Sequence, residues 1–139
     1  MCYYQIPETL NPYDHETFEK YQGDFFSVVT NIETGEPEYI PIKDLHTEIE
    51  AIRASASLPL VSRNVPFNGK LYLDGGISDG IPLKKSMEDG HTKNVVVMTK
   101  EKSPVGRIEK DVDKLTVLYE QGYRDASDCY EELLRFLEK

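Results

Sequence analysis

Cysteine and histidine are scarce in this chain of 139 residues, and neither type falls into a metal-binding or disulfide spacing. Cys2 and Cys129 sit near opposite ends with no C-x-x-C pair, so neither a zinc site nor a disulfide framework is expected. His15, His46 and His91 are equally scattered and read as ordinary surface histidines, because a metal site would need folding to bring them together. No metal and no cofactor are expected. No apolar run approaches the roughly 20 residues that span a bilayer. The opening Met1-Cys2-Tyr3-Tyr4-Gln5 lacks the charged and apolar regions of a signal peptide, so a cytoplasmic setting without a transmembrane segment is the expectation. Cations are also in deficit, with 16 Lys and Arg against 25 Asp and Glu and a net charge of −9. Without clustered Lys and Arg a phosphate backbone is not neutralised, which argues against nucleic acid as a partner and against electrostatic attraction to anionic membranes.

With 39% hydrophobic residues the chain has enough apolar material for one domain with a core, expected over residues 1–139. The polar connector from Lys100 to Arg107, with Ser103-Pro104, is the best candidate for a boundary within it. The most informative stretch is Leu71-Tyr72-Leu73-Asp74-Gly75-Gly76-Ile77-Ser78-Asp79-Gly80-Ile81-Pro82. Leu71 to Leu73 read as a short buried strand, Asp74 stands at its end, and Gly75-Gly76 permit main chain to approach another segment closely. Pro82 suits the start of a helix. A carboxylate at the rim of a sheet is placed to act on a substrate, although Asp and Gly are also ordinary turn residues.

The rest of the chain reads as α/β with a mixed sheet. Asp14 to Tyr21 is expected as a short helix capped by Asp14, and Phe25 to Ile32 with Glu38 to Ile42 as a hairpin turning at Thr34-Gly35. Leu45, Ile49, Ile52 and Ala56 have helical spacing, and Pro59 stops that helix. Asn68-Gly69 is a two-residue hairpin signal that joins Val65-Pro66-Phe67 to Leu71-Tyr72-Leu73 and so delivers Asp74. Asn94 to Thr99 is an uninterrupted apolar run, expected as a central strand. Ile108, Val112, Leu115 and Tyr119 mark one amphipathic helix ended by Gly122, and Ala126, Cys129, Leu133 and Leu137 a second.

Several of these segments, taken in order, resemble the bacterial branch of the patatin-like phospholipase family. They are Ile6-Pro7 with Asn11-Pro12-Tyr13-Asp14, Val29 to Gly35, Ala54-Ser55-Ala56-Ser57-Leu58-Pro59, Tyr72 to Ile77 with Asp79 and Pro82, and the run Val95 to Thr99. The resemblance implies a patatin-like sheet flanked by helices and an acyl hydrolase using a Ser-Asp dyad, with Asp74 as the acid that works on the serine. It implies a lipid or other carboxylic ester as substrate, with Gly75, Gly76, Ser57 and Pro59 near the substrate channel. Small residues such as Ser55 and Ser57 equally suit close packing of a helix on a sheet. In the family, the glycine-rich oxyanion loop and the G-x-S-x-G nucleophile elbow lie upstream of everything matched here. The chain therefore corresponds to an incomplete, C-terminal part of such a domain, inactive alone, whose uncovered apolar surfaces would favour a homodimer or other association.

Gly76-Ile77-Ser78-Asp79-Gly80 matches G-x-S-x-G formally, which would make Ser78 a nucleophile with Asp89 and His91 available downstream. The strand stops about four residues too early for an elbow, and Asp89 and His91 sit too close together in sequence to serve as triad partners. Three functions stay open: the hydrolase with Asp74 as base, a non-catalytic interaction module of the same fold, and an Asp-centred enzyme in which Asp74 and Asp79 hold Mg²⁺.

Overall fold

In a computed structural model of the chain, the structure describes residues 3–98 and 111–138. Contacts divide it into two compact units, residues 1–85 and 86–139. The connector at Lys100 to Arg107 lies outside the described residues, as do Cys2 and Ile108.

The first unit is built on a four-stranded sheet ordered β2-β1-β4-β3, with β1 Phe26–Asn31, β2 Pro37–Pro41, β3 Val65–Phe67 and β4 Lys70–Asp74. Every pairing is antiparallel, so the expected mixed sheet is corrected to an antiparallel one. Two of the three pairings are hairpins closed by short turns, which can join only antiparallel neighbours, and β1 and β4 pair antiparallel across the intervening β2, α2 and β3. At the second hairpin Asn68 and Gly69 have φ of 47° and 77°, the two left-handed positions of a type I′ turn. The edge strands β2 and β3 carry prolines, Pro37 and Pro41 on one and Pro66 on the other.

Period-two alternation separates the two faces of the sheet. Val29 and Tyr72 point to one face and pack with Val65 and Ala54 in the core, with Ile40 and Phe67 at its margin. Ala54 belongs to α2, Leu45–Ser55, which starts where the Asp44 carboxylate accepts from the His46 amide at 2.8 Å. Ala51 and Ala54 are fully buried, and their small side chains bring α2 close enough for the Ser27 hydroxyl to donate to the Ala51 carbonyl at 2.8 Å. Before the sheet come a π-helical turn, Ile6–Leu10, and α1, His15–Glu19, capped by Asp14 through the Thr17 amide. After β4, the turn Gly75–Ile77 leads to α3, Leu83–Glu88, whose Lys85 ammonium sits over the Phe26 and Tyr39 rings.

In the second unit, α4 runs from Val112 to Glu138 as one helix of 27 residues, in place of the two expected. Gly122 lies inside it, because one glycine costs only about 1 kcal/mol in a helix whose neighbours keep propagating the hydrogen-bond ladder. Residues 94–98 form no strand, and Val97 is 93% and Met98 72% exposed. A strand needs a neighbour to take up its N–H and C=O groups, and this run has none among the described residues. Lys93 instead donates to the Leu137 carbonyl at 3.2 Å near the end of α4.

Candidate functional site

The end of β4 is tied down from three directions. The Asp74 amide donates to the Ser57 carbonyl at 3.0 Å, linking the strand to the segment that follows α2. The Asp74 carbonyl accepts from the Thr30 hydroxyl on β1 at 2.8 Å. Through Oδ1 the Asp74 carboxylate accepts from the Gly76 amide at 2.7 Å, which caps the turn and fixes the side-chain rotamer. Oδ2 has no hydrogen-bond partner among the described residues. One oxygen of the half-buried carboxylate is thus a structural anchor, and the other is not engaged by any described residue.

The glycines differ in why they are needed. Gly75 is buried directly beneath β1, where a Cβ would meet the Val28 carbonyl oxygen at 2.2 Å, so main chain crosses main chain there. Gly76 is exposed, and a Cβ on it would touch Asp74 Oδ1 at 3.0 Å. Ser57 is buried, with its hydroxyl donated to the Arg53 carbonyl at 2.7 Å, so it positions Asp74 through its main chain. Pro59 is exposed at the start of the turn that follows. Ser78 bonds through its hydroxyl to Thr30 Oγ1 at 2.7 Å and follows a 3₁₀ turn, with helix resuming only at Leu83. The strand-turn-helix geometry of a nucleophile elbow is therefore absent around Ser78. Asp89 and His91 belong to the second unit.

Asp79 accepts from the Tyr39 hydroxyl at 2.6 Å. Among the described residues Asp74 and Asp79 belong to no cluster of three metal-ligating side chains, which leaves the Mg²⁺ reading without a ligand set.

Two features escaped the sequence. Glu38 on β2 accepts from Asn31 on β1 at 2.7 Å and from Lys70 and Tyr72 on β4 at 2.9 and 2.7 Å. The Asn31 amide, then Lys70 and Tyr72, hold the Glu38 carboxyl down to about 2. Burial, then the bond to Glu38, pushes the Tyr72 phenol up to about 12. This polar belt crosses three strands on the face that carries Asp74. Its only sequence signal is a Glu inside a strand otherwise bounded by proline. The second feature corrects the histidines: His15 and His46 are not separate but stacked, with ring centroids 3.9 Å apart, beside Glu8.

Among the described residues no helix is long and apolar enough to cross a membrane. Residues 88–138 match a family described as a domain of unknown function, DUF6363. The chain is also 41% identical over 66 residues to the uncharacterized protein YjjU of Escherichia coli (strain K12), a match covering 45% of this chain and 18% of that protein. Residues 9–85, which hold the sheet, Ser57 and the Asp74 turn, match the family described as patatin-like phospholipase. That match takes in more than half of the chain, and with it the chain belongs to the patatin-like phospholipase family.

Proposed function

We propose that Asp74 is the general base of a Ser-Asp dyad in a patatin-like acyl hydrolase of the bacterial type, acting on a lipid or other carboxylic ester. The serine comes from residues outside this chain, so these 139 residues alone do not turn over substrate. The observation that carries the reading is the division of labour at the carboxylate: Oδ1 is held by the Gly76 amide, and Oδ2 has no partner among the described residues. A serine hydroxyl about 2.6 to 3.2 Å from Oδ2 would pass its proton to the carboxylate as its oxygen attacks the ester carbonyl. The proton then leaves with the alcohol, and water hydrolyses the acyl-serine. Gly76, exposed beside the acid, leaves room for the incoming segment, Gly75 seats the turn against β1, and Ser57 and Pro59 border the approach from the α2 side.

Intact-mass detection of fluorophosphonate labelling tests the reading. The folded chain takes no adduct, and a longer protein that supplies the upstream serine is labelled and hydrolyses ester. An adduct on Ser78, or full hydrolysis by the Asp74→Asn form of the longer protein, overturns the assignment.

A second reading, a non-catalytic module that associates through apolar surface, is favoured by the exposure of Val97 and Met98. Addition of upstream sequence separates the two, since this reading requires a stably folded monomer or dimer with no rescue of hydrolysis.

A further inference from the structure

Glu8, His15 and His46 come from three separate segments, the π-helical turn, α1 and the start of α2, and meet at one point of the first unit. One ligand atom from each lies within 4.8 Å of the other two. Glu8 Oε1 is 3.3 Å from His46 Nδ1 and 3.5 Å from His15 Nε2. Bonds of 2.0–2.1 Å arranged tetrahedrally around zinc put neighbouring ligand atoms about 3.3–3.4 Å apart, so the three ligand atoms are close enough for the turn of one ring to complete a zinc coordination shell. Both separations are long for hydrogen bonds. His15 Nε2 is buried and has no hydrogen-bond partner among the described residues. Buried polar atoms without a partner are rare, and an ion or water that completes them is the usual resolution.

We propose that Glu8, His15 and His46 form a binding site for a divalent cation of the zinc class. Two imidazoles and one carboxylate suit Zn²⁺ and disfavour Mg²⁺ and Ca²⁺, which prefer all-oxygen shells. The three residues also line a cavity of about 330 Å³ whose other walls include Tyr3, Tyr13, Phe25 and Ile52. A metal lies in the plane of each imidazole that binds it, whereas the His15 and His46 rings are stacked with only 14° between their planes. Binding therefore turns one ring out of the stack. His46, with half of its side chain exposed, is the ring with room to turn. The bound ion would tie the segment before the sheet to α2.

The test is zinc titration of the folded chain by calorimetry, with Mg²⁺ and Ca²⁺ as comparisons and thermal unfolding as a second readout. One equivalent of Zn²⁺ is expected to bind and raise the melting temperature, with neither effect from Mg²⁺ or Ca²⁺. His46→Ala and Glu8→Gln are expected to weaken binding by at least the about 10- to 100-fold that loss of an outer-shell partner causes, while Cys129→Ser leaves it unchanged. Both replaced side chains are substantially exposed, and far-ultraviolet circular dichroism checks that each variant is folded. The proposal is overturned if Zn²⁺ does not bind, if uptake survives in the folded His46→Ala chain, or if Cys129→Ser removes it.

Discussion

A Cβ placed on Gly75 would stand 2.2 Å from the carbonyl oxygen of Val28, so the turn after β4 and the strand β1 touch backbone to backbone. Gly75→Ala must push one of them away, and forcing extra atoms into a packed site costs about 1–3 kcal/mol. A urea midpoint unchanged from the parent chain would show that the turn does not press on β1. Gly76→Ala, at an exposed position, is expected to cost less than Gly75→Ala.

Asp74→Asn separates the two jobs of the side chain. An asparagine oxygen caps the turn about as well as a carboxylate, so stability should change by less than about 1 kcal/mol. In a longer protein that supplies the serine, hydrolysis should fall by at least the about 10²- to 10⁴-fold that a general base contributes. Parallel unfolding curves and ester turnover check the two halves independently.

Glu38 and Tyr72 set opposite pH limits on the sheet. The Glu38 carboxyl is lowered from 4.5 to about 2, so its ionised form stabilises the fold fully above pH 4.5, and that contribution fades as pH falls towards 2. The Tyr72 phenol is raised from 10.0 to about 12, so its contribution is whole below pH 10 and is lost as pH rises through about 12. Urea midpoints measured across pH should show both slopes. Glu38→Gln should flatten the acid slope and Tyr72→Phe the alkaline one.

Ser78→Ala removes a hydroxyl that meets Thr30 at 2.7 Å, which should cost about 0.5–1.5 kcal/mol. It should not alter fluorophosphonate labelling of any longer protein that carries the upstream serine. Loss of labelling would make Ser78 a nucleophile.

Gly122→Ala is expected to stabilise α4 by about 0.5–1 kcal/mol, since a Cβ there meets nothing within 4 Å. Helix content and melting temperature by circular dichroism measure it.

Local chemistry was legible in the sequence wherever neighbours in the chain determine the outcome. Asn68-Gly69 specifies its own turn, Asp14 caps a helix one residue away, and the Asp74-Gly75-Gly76 turn is closed by a bond between residues two apart. What stayed hidden depends on distant partners. Glu38 is a solvent residue by type until Asn31, Lys70 and Tyr72 gather around it, and no spacing announces that three strands will align them. Glu8, His15 and His46 likewise meet only because α1 and the turn before it fold back onto α2. Val95 to Met98 has the composition of a strand, but composition cannot supply the neighbour that a strand requires. Gly122 misled for the reverse reason, since helix cooperativity outweighs one unfavourable residue.

The prolines on the edge strands bear on how this sheet can meet other chains. The amide of Asn31 bonds to the Glu36 carbonyl, and that of Ile42 to the Phe25 carbonyl, which puts Pro37 and Pro41 at the intervening positions of β2 that do not bond to β1. Pro66 holds the corresponding position on β3, next to the residue that closes the Asn68-Gly69 turn. At such positions an ordinary residue would aim its N–H outward, and here a pyrrolidine ring stands instead. Of the outward positions Pro37, Tyr39, Pro41 and Pro66, only Tyr39 carries an N–H, so the two rims offer a newcomer few of the donors from which an intermolecular ladder is made. Lengthening the sheet at β2 or β3 is thereby disfavoured for a dimer of this chain, and contacts through side chains and turns are favoured in its place.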